Sequence, residues 1–318
     1  MAWVTYSDFI ELREKLRTSK LSFFLGKFSF DNKKRVASNW NAHELPPTNW
    51  WNIPMVRKRW NEKITGDSSK SYITYCAEQY FTHVEDGLKM LSIGCGTGTQ
   101  ELEFLNTGKF KLIEAIDIAE GNIVEAKKRT SNPILKFIHS SFERFETSEK
   151  YDVILFYSSL HHLKNLEGVV KRIKQLLSPN SLLIIHEYTG PNRIAWQVPQ
   201  LNFSNKLLAQ LPDNKRTYLS GNVKEKQTAP GNLRMIISDP SEAVEAENIV
   251  NILKQHFTNV ELKGYGGNIL VPLLKGISHH FIESNEENIK YLTYFFQQED
   301  EFLKNHQDDY HFGVYRNK

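Results

Sequence analysis

The chain has 318 residues, which at roughly 150 residues per domain predicts about two domains or one domain with large additions. Apolar residues make up 40% and charged residues 24%, a globular composition that excludes a disordered or fibrous chain. The formal net charge of +3 is too balanced to indicate a nucleic-acid-binding or membrane-binding surface. Two cysteines, Cys76 and Cys95, exclude a disulfide framework and a four-thiolate metal site.

The N-terminal residues predict no targeting segment. They carry Asp8 and Glu11 where a signal peptide needs an uninterrupted apolar run. No stretch approaches the roughly 18 consecutive apolar residues that cross a bilayer. We therefore expect a cytoplasmic protein with no membrane partner.

The pattern of apolar residues changes near Leu88. Residues 1–85 are rich in tryptophan and have apolar residues at helical spacing, interrupted by prolines, which predicts an N-terminal helical cap. From Leu88 onward, short apolar runs alternate with helix-like stretches, a pattern typical of βαβ units and a parallel sheet. The runs that we interpret as strands cover 89–94, 111–117, 134–140, 151–157 and 181–188.

After Tyr188 the alternation stops, and we expect an insertion of helices and loops that forms a lid or substrate wall. Ser238 or Asp239 as N-cap, with Pro240 in the first turn, predicts that a helix starts there. A later strand, a helix and a final strand, at 259–267, 288–306 and 310–317, would give the sheet an antiparallel edge. The expected domains are a cap (1–85), a core (86–188), a lid insertion (189–258) and the C-terminal part of the sheet (259–318).

The most informative residues are the glycines of a loop between the first strand and the helix after it, Gly94, Gly96 and Gly98. Glycine allows a sharp turn or the close approach of a ligand, and a helix start suits an anionic group. The third glycine comes two residues after the second and no Lys follows, so neither the dinucleotide fingerprint nor the phosphate loop matches. A role in turn formation alone stays open for these glycines.

Asp117 lies at the end of the second predicted strand. A carboxylate there can accept two hydrogen bonds from a ribose diol, as the acidic residue of nucleoside-binding βαβ units does. It can also cap the helix that follows. Because the glycine loop precedes it, the sequence favours ribose binding.

Three motifs in this order, LSIGCGTG (91–98), AIDIAEGNI (115–123) and YDVILFYSSLHHL (151–163), resemble the class I S-adenosylmethionine-dependent methyltransferases. The resemblance covers about 88–190 well and 259–316 loosely. It implies an α/β, Rossmann-like doubly wound sheet of seven strands, in the order 3-2-1-4-5-7-6 with the last strand antiparallel. It also implies S-adenosyl-L-methionine as cofactor and S-adenosyl-L-homocysteine as product. Matched to the family's motifs, the cofactor-binding residues are Gly94, Cys95, Gly96, Gly98, Asp117 and Ile118.

The sequence departs from the family after the third strand, where many relatives carry an Asp that binds the adenine amino group. Here Ser141 and Phe142 stand, so that a hydroxyl or a backbone group would substitute and Phe142 would pack on the ring. Tyr157 and Ser158 are expected to line the same crevice. Three residues of the cap, Arg59, Tyr72 and Tyr75, are candidates to close over the cofactor, and Arg59 alternatively binds an acidic substrate group.

The candidate catalytic residues are His161 and His162, after the fourth strand, and Glu187, near the end of the fifth. Both strand ends lie at one edge of a parallel sheet, so these side chains can converge. An imidazole suits general-base catalysis, and a carboxylate on its far nitrogen fixes the tautomer. The arrangement resembles natural-product sugar O-methyltransferases, which implies His161 as base, supported by His162 and Glu187. Packing of a helix start stays open as the alternative, and the candidates for substrate contact are Tyr188, Arg193, Trp196 and Arg216.

The function predicted is methyl transfer to an oxygen, a hydroxyl or carboxylate, of a small molecule such as a secondary metabolite, sugar or short peptide. N-methylation of a small-molecule amine stays open, and a non-catalytic cofactor-binding protein is a third alternative. RNA methylation is less favoured, because Phe156-Tyr157-Ser158-Ser159 replaces the tetrapeptide of base-amine methyltransferases. We expect a monomer or homodimer without a nucleic-acid partner. We expect no metal, because the pairs at 161–162 and 279–280 lack the i, i+4 spacing of helical ligands.

Overall fold

The structure is a computed structural model, and it describes residues 2–18, 49–82 and 86–317. The predicted cap therefore lies partly outside the described residues. The sheet has seven strands in the order β3-β2-β1-β4-β5-β7-β6, and β7 runs antiparallel to both of its neighbours. This confirms the predicted fold class. The strands are β1 Leu88–Ile93, β2 Phe110–Asp117, β3 Leu135–His139, β4 Tyr151–Tyr157, β5 Leu177–Tyr188, β6 Thr258–Gly266 and β7 Tyr310–Arg316.

Helices connect the strands and flank the sheet. Three of them begin at a side-chain cap, in which Ser71, Asn165 or Asn285 accepts a hydrogen bond from a backbone N–H of the first turn. The helices are α1 Tyr6–Thr18, α2 Pro54–Thr65, α3 Tyr72–Gln79, α4 Thr99–Asn106, α5 Glu120–Arg129, α6 Leu166–Leu176, α7 Val198–Leu208, α8 Asn232–Ser238, α9 Ile249–His256, α10 Leu270–Leu274 and α11 Glu286–Leu303.

The core lies on both faces of the sheet. On one face, α6 and α9 bury residues such as Val170, Ile173 and Leu253. On the other face, α2, α4, α7 and α11 bury Trp60, Phe104 and other apolar side chains. Strand β4 is covered on both sides, which explains why its sequence is apolar almost throughout.

Two predictions of element boundaries are wrong. Residues 177–180, which precede the strand predicted over 181–188, already belong to β5. Leu177 pairs with Tyr151 and the next pairing is Leu182 with Val153, so a bulge lies between them. This bulge contains Asn180 in a left-handed conformation at φ 59°, whereas the preceding helix has already ended at Leu176, with Leu177 extended.

The helix predicted to start at Pro240 begins instead at Ile249, after a short 3-10 turn at Ala246–Asn248. Residues 239–243 form a turn with Ala243 in the left-handed region at φ 46°. We call this segment the 239–243 turn. Its backbone is held by Arg193, whose guanidinium donates to the carbonyl oxygens of Pro240 and Glu242.

The topology brings the carboxyl ends of β1, β2, β4 and β5 to one edge of the sheet. The chain order reverses between β1 and β4, which is where open α/β sheets bind their ligands. Among the described residues, no helix has both the length and the apolar character needed to span a bilayer.

Candidate active site

A cleft of about 530 Å³ opens at the carboxyl ends of β1, β2 and β4. Its wall is formed by the glycine loop, the end of β2, the turn after β3, the turn after β4 and part of the 239–243 turn. The predicted cofactor residues that line it are Gly94, Cys95, Gly96, Asp117, Ile118, Ser141, Phe142, Tyr157 and Ser158. Residues that were predicted at the ends of different strands therefore line the same cleft.

The glycines of the loop differ in what they do. Gly94 lines the cleft at φ +74°, and a Cβ atom there would lie 2.5 Å from the Cβ of Ser159. Gly96 lines the cleft at φ +55° with open space beside it. Gly98 is not among the lining residues; a Cβ there would lie 2.4 Å from the ring of Phe137, so this glycine lets the start of α4 pack against β3.

Asp117 is buried at the end of β2 and faces the cleft. One carboxylate oxygen accepts from the Gly96 N–H at 2.8 Å and the other from the Ala119 N–H at 2.7 Å. Burial raises the pKa of Asp117, and these two N–H groups oppose that shift. The carboxylate therefore holds the glycine loop through Gly96 and the residues after β2 through Ala119. Its remaining lone pairs can accept hydrogen bonds from a ligand.

The turn after β3 offers a polar and an aromatic group. The Ser141 hydroxyl is buried and has no hydrogen-bond partner among the described residues, although it belongs to a residue that lines the cleft. The ring of Phe142 is buried beside it, and the Arg172 guanidinium lies over that ring, 5.1 Å from its centroid. These two residues fit a polar aromatic base such as adenine.

The predicted cap residues do not line the cleft. Arg59 forms ion pairs with Asp300, at 2.8 Å, and with Glu299, which are 241 and 240 residues further along the chain. The ring of Tyr72 stacks on Tyr157 with centroids 5.9 Å apart, and its hydroxyl donates to Gln100 at 2.8 Å. Tyr72 therefore supports two lining residues from behind.

His161 and Glu187 meet as predicted. The two residues are buried, and Nδ1 of His161 lies 2.6 Å from Oε2 of Glu187. The other carboxylate oxygen of Glu187 accepts from the backbone N–H groups of Ser159 and Leu160, at 2.6 and 2.7 Å. This carboxylate thus shapes the 3-10 turn Leu160–His162 that carries both histidines.

His161 and Glu187 shift each other's pKa in opposite directions. Burial alone would raise the pKa of Glu187, but the charge and hydrogen bond of His161 overcome it, so the pKa of Glu187 is lowered. Burial alone would lower the pKa of His161, but Glu187 raises it. Burial and the neighbouring charge of His161 both lower the pKa of His162.

The two histidines differ in their position relative to the cleft. His162 is among the lining residues, and His161 is not. Beside His162, the hydroxyl of Ser241 lies 3.3 Å from its Nδ1. Nε2 of His161 lies 3.5 Å from Oε1 of Glu242, so His161 sits between two carboxylates.

The 239–243 turn supplies residues that the sequence analysis missed. Pro240 and Ser241 line the cleft and Glu242 faces His161. The prediction of a helix over this segment hid them, because a helix would have pointed their side chains differently. The sequence analysis also missed Ser159, which lines the cleft and whose hydroxyl donates to the Ile93 carbonyl at 2.5 Å. Its position two residues after Tyr157, in the motif that follows the fourth strand, was the signal that could have identified it.

The predicted substrate residues are not among those that line the cleft. The Tyr188 hydroxyl donates to the Pro191 carbonyl at 2.8 Å, and its ring makes an edge contact with His161. Arg193 holds the 239–243 turn. Trp196 is buried beneath Lys275, and Arg216 pairs with Asp213.

The sequence of residues 91–185 matches a family model described as a methyltransferase domain. The chain is 31% identical over 101 residues to a malonyl-[acyl-carrier protein] O-methyltransferase of Bacillus anthracis, covering 32% of this chain and 38% of the relative. It is 28% identical over 109 residues to the (S)-coclaurine N-methyltransferase of Papaver somniferum, covering 32% of this chain and 30% of the relative. The chain thus spans less than half the length of these curated relatives.

A solved structure of the plantazolicin methyltransferase BpumL, in complex with a triazolic desmethylPZN analog and SAH, resembles the chain over 98% of both proteins. The sequence identity is 16% and the TM-score 0.42, so no argument about ligand or acceptor follows from this likeness. The sequence motifs and the matched methyltransferase domain indicate a family whose cofactor is S-adenosylmethionine. This agrees with the cofactor predicted from the sequence. Residues 91–185 thus match a methyltransferase domain, and the glycine loop, Asp117 and the strand order agree with the class I S-adenosylmethionine-dependent methyltransferases that the motifs resemble.

Proposed function

We propose that this chain transfers a methyl group from S-adenosylmethionine to an oxygen atom of a small molecule. The observation that carries the proposal is that a single cleft has Asp117 and the glycine loop on one wall and His162 on another. A nucleoside-binding wall and a proton-accepting side chain thereby face one space. The hydroxyl and carboxylate acceptors predicted from the sequence both fit this arrangement.

The cofactor-binding part of the proposal rests on side chains and backbone that are already in place. Asp117 has lone pairs for a ribose diol, and Gly94 and Gly96 leave the backbone accessible. The Ser141 hydroxyl, which has no partner among the described residues, and the ring of Phe142 suit adenine. When bound, S-adenosylmethionine supplies an electrophilic methyl group on its sulfonium.

The acceptor-binding part rests on His161, His162 and Glu187. Holding a nucleophile in attack geometry is worth roughly 7–11 kcal/mol, and a general base adds roughly 100- to 10,000-fold in rate. The sequence favours His161 as base. The position of His162 in the cleft wall, together with its lowered pKa, supports His162 as the imidazole nearer the acceptor, with His161 and Glu187 as its supports. We further propose that residues 189–258, including Arg193, form the wall of the acceptor site.

N-methylation remains the second candidate, and one observation favours it: an N-methyltransferase is among the curated relatives. A neutral amine needs less help from a base than a hydroxyl does. The polar set around His161 supports the oxygen acceptor, because a site for an amine would not require it.

The test is an assay with methyl-labelled S-adenosylmethionine and panels of hydroxyl, carboxylate and amine acceptors. We expect S-adenosylhomocysteine to form in step with a labelled acceptor, and label on a carboxylate to be released by alkali as methanol. His162→Ala should lower turnover by roughly 100- to 10,000-fold, because it removes the side chain nearest the acceptor. The affinity for S-adenosylhomocysteine should stay unchanged.

His256→Ala is the matched control, since His256 also pairs with a glutamate, Glu167, but lies on the surface. It should keep full turnover. Label that appears only on amines would replace the oxygen acceptor by the nitrogen acceptor. Wild-type turnover in both His161→Ala and His162→Ala would contradict the role of the histidines.

A further inference from the structure

We propose that His161, His162 and Glu242 form a binding site for one divalent cation of the zinc or cobalt type. Among the described residues, their ligand atoms lie within 4.8 Å of one another. Glu242 is 80 residues after His162 and reaches the pair only through the 239–243 turn. Sequence spacing therefore gave no sign of a third ligand, and the adjacent histidines alone predicted no metal.

The separation of two of the ligand atoms suits a cation between them. Nε2 of His161 and Oε1 of Glu242 lie 3.5 Å apart, which is longer than the roughly 2.7–3.2 Å of an N–H···O hydrogen bond. Tetrahedral coordination with bonds of about 2.0–2.1 Å places two ligand atoms about 3.3–3.4 Å apart. The observed spacing is close to this edge length.

The second nitrogen of His161 is bound in the way that metal-ligating histidines usually are. Nδ1 faces Oε2 of Glu187 at 2.6 Å, so Nε2 points toward Glu242. Such a carboxylate behind the ring fixes its tautomer and orientation and makes the ligand nitrogen more basic. Glu187 is itself fixed by the N–H groups of Ser159 and Leu160.

The other two ligands are also positioned by their surroundings. Arg193 donates to the carbonyl oxygens of Pro240 and Glu242, and its backbone N–H donates to the Ala243 carbonyl at 2.6 Å. Ser241 lies against the ring of His162. The site is partly open, because the side chain of Glu242 is 17% exposed and His162 lines the cleft.

The ligand set determines which cation fits. Two imidazoles and one carboxylate suit Zn²⁺ and the transition metals near it, whereas Mg²⁺ and Ca²⁺ prefer oxygen ligands alone. Three protein ligands leave a fourth position free, as in catalytic zinc sites. At the edge of the cleft, an acceptor hydroxyl can occupy that position, where the cation lowers its pKa and its proton passes to water. This rests on the proposed function and deepens it: with the cation bound, the cation replaces His162 as the group that activates the hydroxyl. Cation binding itself does not depend on methyl transfer.

The test is titration of the untagged, EDTA-stripped chain with Co²⁺, followed by its visible absorption, and then with Zn²⁺ as competitor. We expect one equivalent of Co²⁺ to bind and Zn²⁺ to displace it. Glu242→Gln should abolish the band, because an amide replaces the carboxylate ligand. Glu187→Gln should weaken binding by roughly 10- to 100-fold, because it alters the group behind His161.

Glu247→Gln is the matched control: Glu247 lies near Glu242 in the chain but bonds Asn192, so its variant should bind Co²⁺ as the wild type does. Absence of Co²⁺ binding to the wild type would overturn the site. So would binding that survives in Glu242→Gln, which would assign the cation elsewhere, for example to His279 and His280. Titration of the same variants with S-adenosylhomocysteine separates this failure from a failure of the proposed function.

Discussion

The pKa values of two buried glutamates, Glu187 and Glu101, are shifted in opposite directions. Glu187, on the acceptor side, accepts hydrogen bonds from two backbone N–H groups and faces His161, and its pKa is lowered. Glu101, beneath the glycine loop in α4, accepts one hydrogen bond, from Ser92 at 2.5 Å, and its other oxygen has no partner among the described residues. Burial raises the pKa of Glu101 to about 7. The number and charge of the partners, rather than depth, decides which carboxylate stays ionised.

The two sides of the cleft also differ in how they are assembled. On the cofactor side, the glycine loop and Asp117 come from one βαβ unit, 24 residues from Gly94 to Asp117 inclusive. On the acceptor side, His161, Glu187 and Glu242 come from three separate segments. The cofactor side is therefore a local structure, and the acceptor side exists only when the whole chain is folded.

The largest effect is expected from Glu187→Ala. It leaves Nδ1 of His161 and two backbone N–H groups buried without their partner, so the free energy of unfolding should fall by about 3–5 kcal/mol. Urea denaturation measures it. Glu167→Ala breaks the exposed pair with His256 and should cost about 1 kcal/mol or less. An equal fall in the free energy of unfolding for Glu187→Ala and Glu167→Ala would contradict a larger contribution from the buried pair.

The raised pKa of Glu101 should make the free energy of unfolding depend on pH. The pKa of Glu101 is about 7 in the folded chain against 4.5 for the ordinary side chain, so the folded state binds the extra proton between these values. The free energy of unfolding of the wild type should therefore fall, relative to Glu101→Gln, as the pH rises from 4.5 to 7, by up to about 3 kcal/mol. Glutamine stays neutral and can still accept from Ser92.

Urea denaturation of both proteins at about pH 5, near the lower end of this pH range, and at about pH 8, above its upper end, provides the measurement. Glu146→Gln, which removes an exposed carboxylate after β3, controls for the change in net charge. A stability difference between the wild type and Glu101→Gln that is the same at both pH values would contradict the raised pKa.

The sequence predicted the cofactor side better than the acceptor side for a physical reason. Turn glycines and a strand-end carboxylate act through their chain neighbours, so Gly94 and Asp117 could be placed from local pattern alone. Glu242 could not, because its position depends on Arg193 and on the left-handed Ala243. Arg59 was assigned to the cofactor because its partners Glu299 and Asp300 are far away in the sequence. The strand order followed from the family resemblance, which carries long-range information that periodicity lacks.

A smaller effect is expected at the glycine loop. Gly94 and Gly108 both have a left-handed backbone, but only at Gly94 would a Cβ meet another residue, Ser159. Gly108→Ala should cost about 1–2 kcal/mol from backbone conformation. Gly94→Ala should cost about 1–3 kcal/mol more, from the added clash, and should also weaken cofactor binding. Thermal unfolding of both variants checks the difference, and equal costs would contradict the close contact with Ser159.

The most direct test of the account is calorimetric titration of the chain with S-adenosylmethionine and S-adenosylhomocysteine. We predict binding of one equivalent of each, weakened roughly 10- to 100-fold in Asp117→Asn, since a hydrogen bond to a charged group is worth about 1.5–3 kcal/mol. Asp152→Asn is the control, because Asp152 also bonds a backbone N–H, that of Lys89, but away from the carboxyl ends of the strands. Binding unchanged in Asp117→Asn, or no binding of either nucleoside to the wild type, would contradict the central claim that this cleft holds the methyl donor.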